Sequence, residues 1–208
     1  EALELPIHLQ TYTMRDVGEV LPKVLWLMEE SDVMKVGIAV PFYWTAETAS
    51  RLGRNILLAG QGGDELFGGY QRYLKEYAQS GALGVQKAMY RDVASSYETN
   101  FQRDNQVCSF HKVELRLPFA DLDVAHFSLG LPLSLKIDST TDPLRKRVLR
   151  RVAQILGMPS FIVNKTKKAV QYTTGVDKGL RKLARVEGIT LRSMLEEAFR
   201  RTYPSVEL

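Results

Sequence analysis

The sequence predicts an α/β protein: part of a parallel-sheet domain, followed by a mainly helical lobe. Three observations predict it. The run "NILLA" (Asn55 to Ala59) is too short for a helix and apolar throughout, as expected of a strand buried on both faces of a parallel sheet. Upstream of it the patterns read strand, helix, helix, strand, the order of an α/β domain. Downstream of about Tyr70, only helical periods and loops are expected. A division into 1–80 (the C-terminal part of an α/β ligand-binding region) and 81–208 (a helical lobe completing the same site) follows.

Taken in order, "EALELP" reads as the last turn of a helix, which predicts a chain cut inside an α/β unit. "IHLQTYT" (Ile7 to Thr13) alternates as a strand does. In "DVGEVLPKVLWLMEES", Val17, Val20, Leu21, Val24, Leu25 and Met28 recur at helical spacing, with Pro22 expected in the first turns, where a missing N–H costs little. "VGIAVPFYWTAETASRLG" is apolar on most sides and predicts a buried helix ending near Gly53. Beyond the strand, "GVQKAMYRDVASSYETNF" reads as one helix, and "DLDVAHFSLGLP" as a helix capped by Asp121 and stopped before Pro132. "TTDPLRKRVLRRVAQILGMP" is expected to be capped by Asp142, with Pro143 at its first position and Gly157 at its end. Two more helices are predicted near Val176 to Val186 and Leu191 to Thr202.

Composition narrows the class. The 208 residues are 45% apolar and 25% charged, ordinary for a globular protein. No stretch approaches the roughly 18 apolar residues of a membrane span, and the N-terminus does not resemble a signal peptide. The single cysteine, Cys108, excludes an internal disulfide, and His8, His111 and His126 have no ligand spacing. These features predict a cytoplasmic protein. The net charge of +4 suits an anionic ligand and is too small to argue for nucleic acid.

The chemistry concentrates in "AGQGGDELFGG" (Ala59 to Gly69), which follows the predicted strand; open α/β sheets bind ligands at the carboxyl ends of their strands. Gly60, Gly62 and Gly63 permit positive φ and close approach to backbone, and successive N–H groups can cradle phosphate oxygens. Asp64 and Glu65 would repel a phosphate unless a cation intervenes, and Mg²⁺ prefers oxygen ligands beside phosphates. A tight strand-to-helix turn capped by Asp64 would produce the same pattern, and spacing alone leaves both readings open.

Three stretches resemble one family. "LLAGQGGDELFGGYQRY" is similar to the "SGxGxDExFGGY" loop of the asparagine synthetase synthase domain, a branch of the ATP-pyrophosphatase (PP-loop) enzymes that includes β-lactam synthetase. "FQRDNQVCSFHKVELRLPFADLDV" resembles that family's "LQRxDRxxMxxxxExRxPFLDxxL". "LPLSLKI", with the basic helix and "NKTKKAVQYTTGV", resembles "LPxxLKI…K…LR…RxKxxFxxG". The resemblance implies an adenine-nucleotide alpha-hydrolase-like (ATP-pyrophosphatase) fold. It also implies an ATP-dependent amide-forming ligase: Mg-ATP adenylates an aspartate-like carboxylate, and ammonia or an amine attacks the acyl-adenylate. The implied partners are ATP, a small carboxylate and a separate glutaminase or other ammonia source. By the same resemblance, Ala59 and Gly60 lie along the nucleotide, Asp64 ligates Mg²⁺ with Glu65 beside it, and Asp121 stands near the substrate. Lys168, with Lys167 as the close alternative, matches the lysine that stabilises the adenylation transition state.

Two departures stand out. Gln61 occupies a position where the family often has Glu; a carboxylate can accept a proton or orient an amine, while an amide only hydrogen-bonds. The family's "SGGxDS" phosphate loop, an N-terminal cysteine and a glutaminase domain have no counterpart in these residues. The isolated chain is therefore expected to be nearly inactive. Two rival readings are a non-catalytic relative kept for protein interaction and a PP-loop enzyme acting on RNA through Arg145, Lys146, Arg147, Arg150 and Arg151. Such a stripe is more simply the wet face of a helix, and no aromatic platforms for single strands interleave with it. Glu114 and Arg116 are expected to be structural residues close to the site.

Overall fold

The computed structural model describes residues 3–204. Its elements, in chain order, are α1 (Met14–Met28), α2 (Val33–Arg51), β1 (Ile56–Leu58), α3 (Gly63–Phe67), α4 (Gln71–Ala94), α5 (Gln102–Phe110), β2 (Glu114–Arg116), α6 (Leu122–Gly130), α7 (Arg147–Ile155), α8 (Ser160–Val163), α9 (Val170–Thr173), α10 (Val176–Val186) and α11 (Leu191–Thr202). This is a mostly helical α/β chain with a small parallel sheet. The sheet pairs β1 with β2: Glu114 N donates to Asn55 O and Ala59 N to Arg116 O, so both strands advance together.

The chain forms two compact units, each drawing segments from both sides of residue 80. One consists chiefly of residues 58–97 and 116–167, the other, among the described residues, of 4–57, 98–115 and 168–204. In the second unit, α1 packs on α2, α5, α10 and α11. Val24, Leu25, Val36, Val40, Val107, Cys108, Leu180 and Leu195 form its core. Helix α1 starts where Thr13 accepts from Asp16 N and the Asp16 carboxylate accepts from Thr13 N, a reciprocal cap. Burial pushes the Cys108 thiol up to about 12, so this cysteine is an apolar core side chain rather than a nucleophile. In the first unit, α3 packs on α4, α6 and α7, and a smaller core gathers Tyr73, Leu74, Val85, Met89, Leu133 and Ile137.

Several expectations are corrected. Ile7 to Thr13 form no strand: residues 4–13 pair with no ladder, and Ile7 and Leu9 are 71% and 87% exposed. An alternating sequence becomes a strand only when a neighbour accepts its backbone bonds, and none of the described residues does. Nor is β1 buried on both faces: it has a ladder partner, but Ile56 and Leu58 are 40% and 68% exposed. A strand not expected, β2, exists because β1 gives Glu114–Arg116 a ladder to join. Helix α1 begins two residues before Asp16, so Pro22 lies in its interior. The helix expected over "GVQKAMYRDVASSYETNF" begins at Gln71, is broken at Gly81 (φ 66°) and ends at Ala94; Tyr97–Phe101 forms a separate π turn. Asp142 does not cap α7, which starts five residues later. Its carboxylate instead accepts from Asp138 N, Leu144 N and Arg145 N and closes a turn. The buried α2, the Asp121-capped α6, and helices α10 and α11 are found where the sequence places them. The helical reading of "EALELP" falls partly on Glu1 and Ala2, outside the described residues. No helix among the described residues is long and apolar enough to cross a membrane.

Candidate nucleotide and metal site

The site is built at the C-terminal end of β1, entirely in the first unit. After Leu58, Gly60 to Gly63 turn sharply, with Gly63 N donating to Gly60 O at 3.3 Å. This commits one of the N–H groups that the sequence offers to phosphate. Among the three glycines Gly60, Gly62 and Gly63, only Gly62 has positive φ (89°). A Cβ there would also meet Phe119 O at 3.2 Å, so Gly62 is required on both counts. The five-residue α3 follows and stops at Gly68 (φ 72°). Gly69 N then donates back to Asp64 O at 2.8 Å.

That return path holds the Asp64 side chain in place. A Cβ on Gly69 would lie 1.8 Å from Asp64 Oδ1 and 2.4 Å from Lys146 Cε, so the carboxylate and the lysine fill the space that the glycine leaves. Lys146 Nζ is 2.8 Å from Asp64 Oδ1, and Lys167 Nζ is 3.6 Å from Oδ2. Oδ1 is buried, yet no donor is aligned on it for a hydrogen bond; Lys146 supplies charge without the geometry. Glu65 faces elsewhere. It is buried and accepts a 2.5 Å bond from the Tyr70 hydroxyl, and burial raises the Tyr70 pKa.

Arg145 and Lys146 were legible in sequence only as members of a basic stripe. Both adopt left-handed backbone, φ 53° and 52°, a conformation that non-glycine residues take at a cost of about 1–2 kcal/mol each. Asp142 stabilises the first through its bond to Arg145 N. The strained pair aims both side chains at the glycine loop: Arg145 Nε donates to Gly69 O at 3.0 Å and its Nη1 to Gln71, while Lys146 reaches Asp64. Residues strained in this way cluster at functional sites.

The rest of the stripe divides: Arg150 is turned inward, while Arg147 and Arg151 make exposed surface contacts. Arg150 donates to the carbonyls of Leu144, Arg145 and Val163, Arg147 pairs with Asp138, and Arg151 bonds Gln154. It is therefore not a continuous wet basic face. Asp121 caps α6, accepting from Asp123 N and Val124 N at 3.0 and 3.1 Å. Its segment reaches the glycine loop through Phe119, whose ring would be 3.2 Å from a Cβ on Gly63. Gln61 is half-buried and Ala59 is bonded to β2. Lys167 stands at Asp64, whereas Lys168 begins a segment of the other unit. Glu114 and Arg116 are β2 residues.

The residues present fit a magnesium ion held mainly by a nucleotide. No cluster of three or more His, Cys, Asp or Glu suited to a metal exists among the described residues, which excludes an all-protein cage there. The Asp64 Oδ1, buried with no aligned donor, is what a single protein ligand offers when phosphates and water supply the rest.

The glycine turn after a parallel strand thus ends in a carboxylate between two lysines, and comparison with known proteins assigns the family. The asparagine synthase family model matches residues 1–84 and 77–204, and the chain belongs to that family. A putative glutamine-hydrolysing asparagine synthetase of Methanocaldococcus jannaschii is 30% identical over 93% of this chain. A mouse asparagine synthetase domain-containing protein is 30% identical over 59% of it. A glutamine-hydrolysing asparagine synthetase of Brassica oleracea is 26% identical over 79%. The chain spans 41%, 20% and 28% of the lengths of these three relatives.

Proposed function

We propose that the chain carries the metal- and phosphate-handling part of an ATP-dependent amide-forming ligase, in which a carboxylate is adenylated and then attacked by ammonia or an amine. The observation that carries this reading is the Asp64 carboxylate, packed against Gly69, with one buried oxygen lacking an aligned donor and lysines on both sides. When bound, Mg²⁺ would offset the charge of the nucleotide phosphates, and Asp64 would be its protein ligand. Release of Asp64 from Lys146 and Lys167 leaves two ammonium groups for the oxygens on which charge develops at the α-phosphate. Lys167 is thus favoured over Lys168 as the cation of the adenylation step. Ala59, Gly60, Gly62 and Gly63 present backbone along the nucleotide, and Glu65 acts by fixing the loop through Tyr70 rather than as a second metal ligand. Asp121 and Gln61 line the acyl and amine side, with Gln61 orienting the amine through its amide. An aspartate-like carboxylate is the substrate the family membership favours, and the names of the relatives make glutamine-derived ammonia the favoured nitrogen source.

Calorimetric titration tests this. Mg-ATP is expected to bind wild type, and Asp64→Asn is expected to abolish the dependence of that binding on Mg²⁺. Identical metal dependence in both proteins would reject the assignment of Asp64. A second reading, a non-catalytic relative, is favoured by Gln61 alone; absence of Mg-ATP binding to wild type would support it. The internal bonds of Arg145 and Arg150 argue against RNA as the substrate.

A further inference from the structure

Tyr70 lies outside every residue role assigned above to metal or substrate, yet it touches both arms of the site. Its hydroxyl donates to Glu65 at 2.5 Å, in the helix that carries Asp64. Its ring centroid is 5.1 Å from Lys167 Nζ, within the range of a cation–π contact. The ring is itself held. It packs on Tyr73 with centroids 5.6 Å apart, and the Arg72 guanidinium carbon is 4.5 Å from its centroid. Asp92 fixes both of those neighbours, accepting from Arg72 at 2.7 Å and from the Tyr73 hydroxyl. Lys167 therefore has two attractions of different kinds: a carboxylate that a bound cation would take over, and an aromatic face that it would not.

We propose that Tyr70 is the positioning residue for Lys167: its braced ring holds the ammonium at the mouth of the glycine loop independently of Asp64, so the lysine stays in place when Asp64 turns to a metal. The consequence for nucleotide binding rests on the function proposed above; the placement of Lys167 does not. With an ion pair alone, metal binding would release Lys167 into solvent at the moment its charge is required. The ring removes that conflict, because a π face attracts the ammonium without competing for the metal.

Carbon-13 NMR of the reductively dimethylated full chain tests the placement without any ligand, with Lys167→Arg identifying the resonance. The Lys167 methyl signal is expected to show an upfield ring-current shift in wild type. The shift should persist in Asp64→Asn and in Tyr70→Phe, which keeps the ring, and disappear in Tyr70→Leu. Loss of the shift in Asp64→Asn, or its survival in Tyr70→Leu, overturns the proposal. Folding of each variant is read from the dispersion of its remaining signals. Titration with Mg-ATP then tests the consequence: affinity is expected to fall roughly tenfold in Tyr70→Leu, the upper range of a partly desolvated cation–π contact. If wild type binds no Mg-ATP, the functional reading fails, while the ring-current result still decides the role of Tyr70.

Discussion

Gly69 shows how a single hydrogen atom in place of a side chain makes room for a carboxylate and a lysine. Its φ is not positive, so alanine there would meet no left-handed backbone penalty; it would meet the Asp64 carboxylate 1.8 Å away and Lys146 Cε at 2.4 Å. Gly69→Ala is expected to displace Asp64 and Lys146 and weaken Mg-ATP binding about ten- to hundredfold, the worth of one charge-assisted contact; calorimetry checks it, and unchanged affinity would remove Asp64 from the site. A second residue-scale case is the pair Arg103–Asp104, 2% and 0% exposed, joined at 2.7 Å. Removing one partner strands a buried charge, so Asp104→Ala is expected to destabilise the protein by about 3–5 kcal/mol, read from the urea midpoint. The sequence announced Asp64 through its glycine context. It could not announce Lys146, because what brings that side chain to Asp64 is a left-handed backbone with no compositional mark.

Among the elements, helix ends were the most legible and strands the least. Asp121 before an apolar run signals a cap by short-range chemistry, and the side chain does accept the two N–H groups it should. Asp121→Ala is expected to cost about 1 kcal/mol of stability, while Asp121→Asn preserves the cap. If Asp121 also serves the substrate, Asp121→Asn would lower the activity of an active ligase at unchanged thermal midpoint, which separates the two roles. Asp142 presented the same signal and uses it differently, closing the turn that forces Arg145 and Lys146 into position. Pro22, exposed and interior to α1, leaves that helix one backbone bond short. Pro22→Ala is expected to raise the thermal midpoint, by an amount equivalent to about 1–3 kcal/mol; a fall would mean that packing of α1 depends on the proline.

On the scale of the whole molecule, one buried charge ties global stability to pH. Lys136 is 2% exposed, and burial lowers its pKa from 10.5 to about 8. The unfolded chain thus binds a proton more readily than the native one between these values. The cost of the buried ammonium is present in full below about pH 8 and is relieved as pH rises toward 10. Above about 10, Tyr70 and Tyr73 oppose the trend, since burial keeps them protonated in the fold while the unfolded chain ionises. Lys136→Met is expected to stabilise the protein at pH 7 by on the order of 2–3 kcal/mol and to flatten the rise between pH 8 and 10, measured by urea unfolding. A flat wild-type profile there would show that the ammonium is solvated.

The sequence by itself determined the family through its motifs, and the glycine turn, the acidic residue inside it and the limits of α6, α10 and α11 because those depend on contacts within a few residues. Tertiary structure alone decided the rest: the pairing of β1 with a strand 58 positions downstream, the exposure of Ile7 and Leu9, the internal use of Arg145 and Arg150, and Lys167 rather than Lys168 as the neighbour of Asp64. Each is set by which distant segment accepts a hydrogen bond, covers an apolar face or supplies a counter-charge. Local spacing carries no record of that choice.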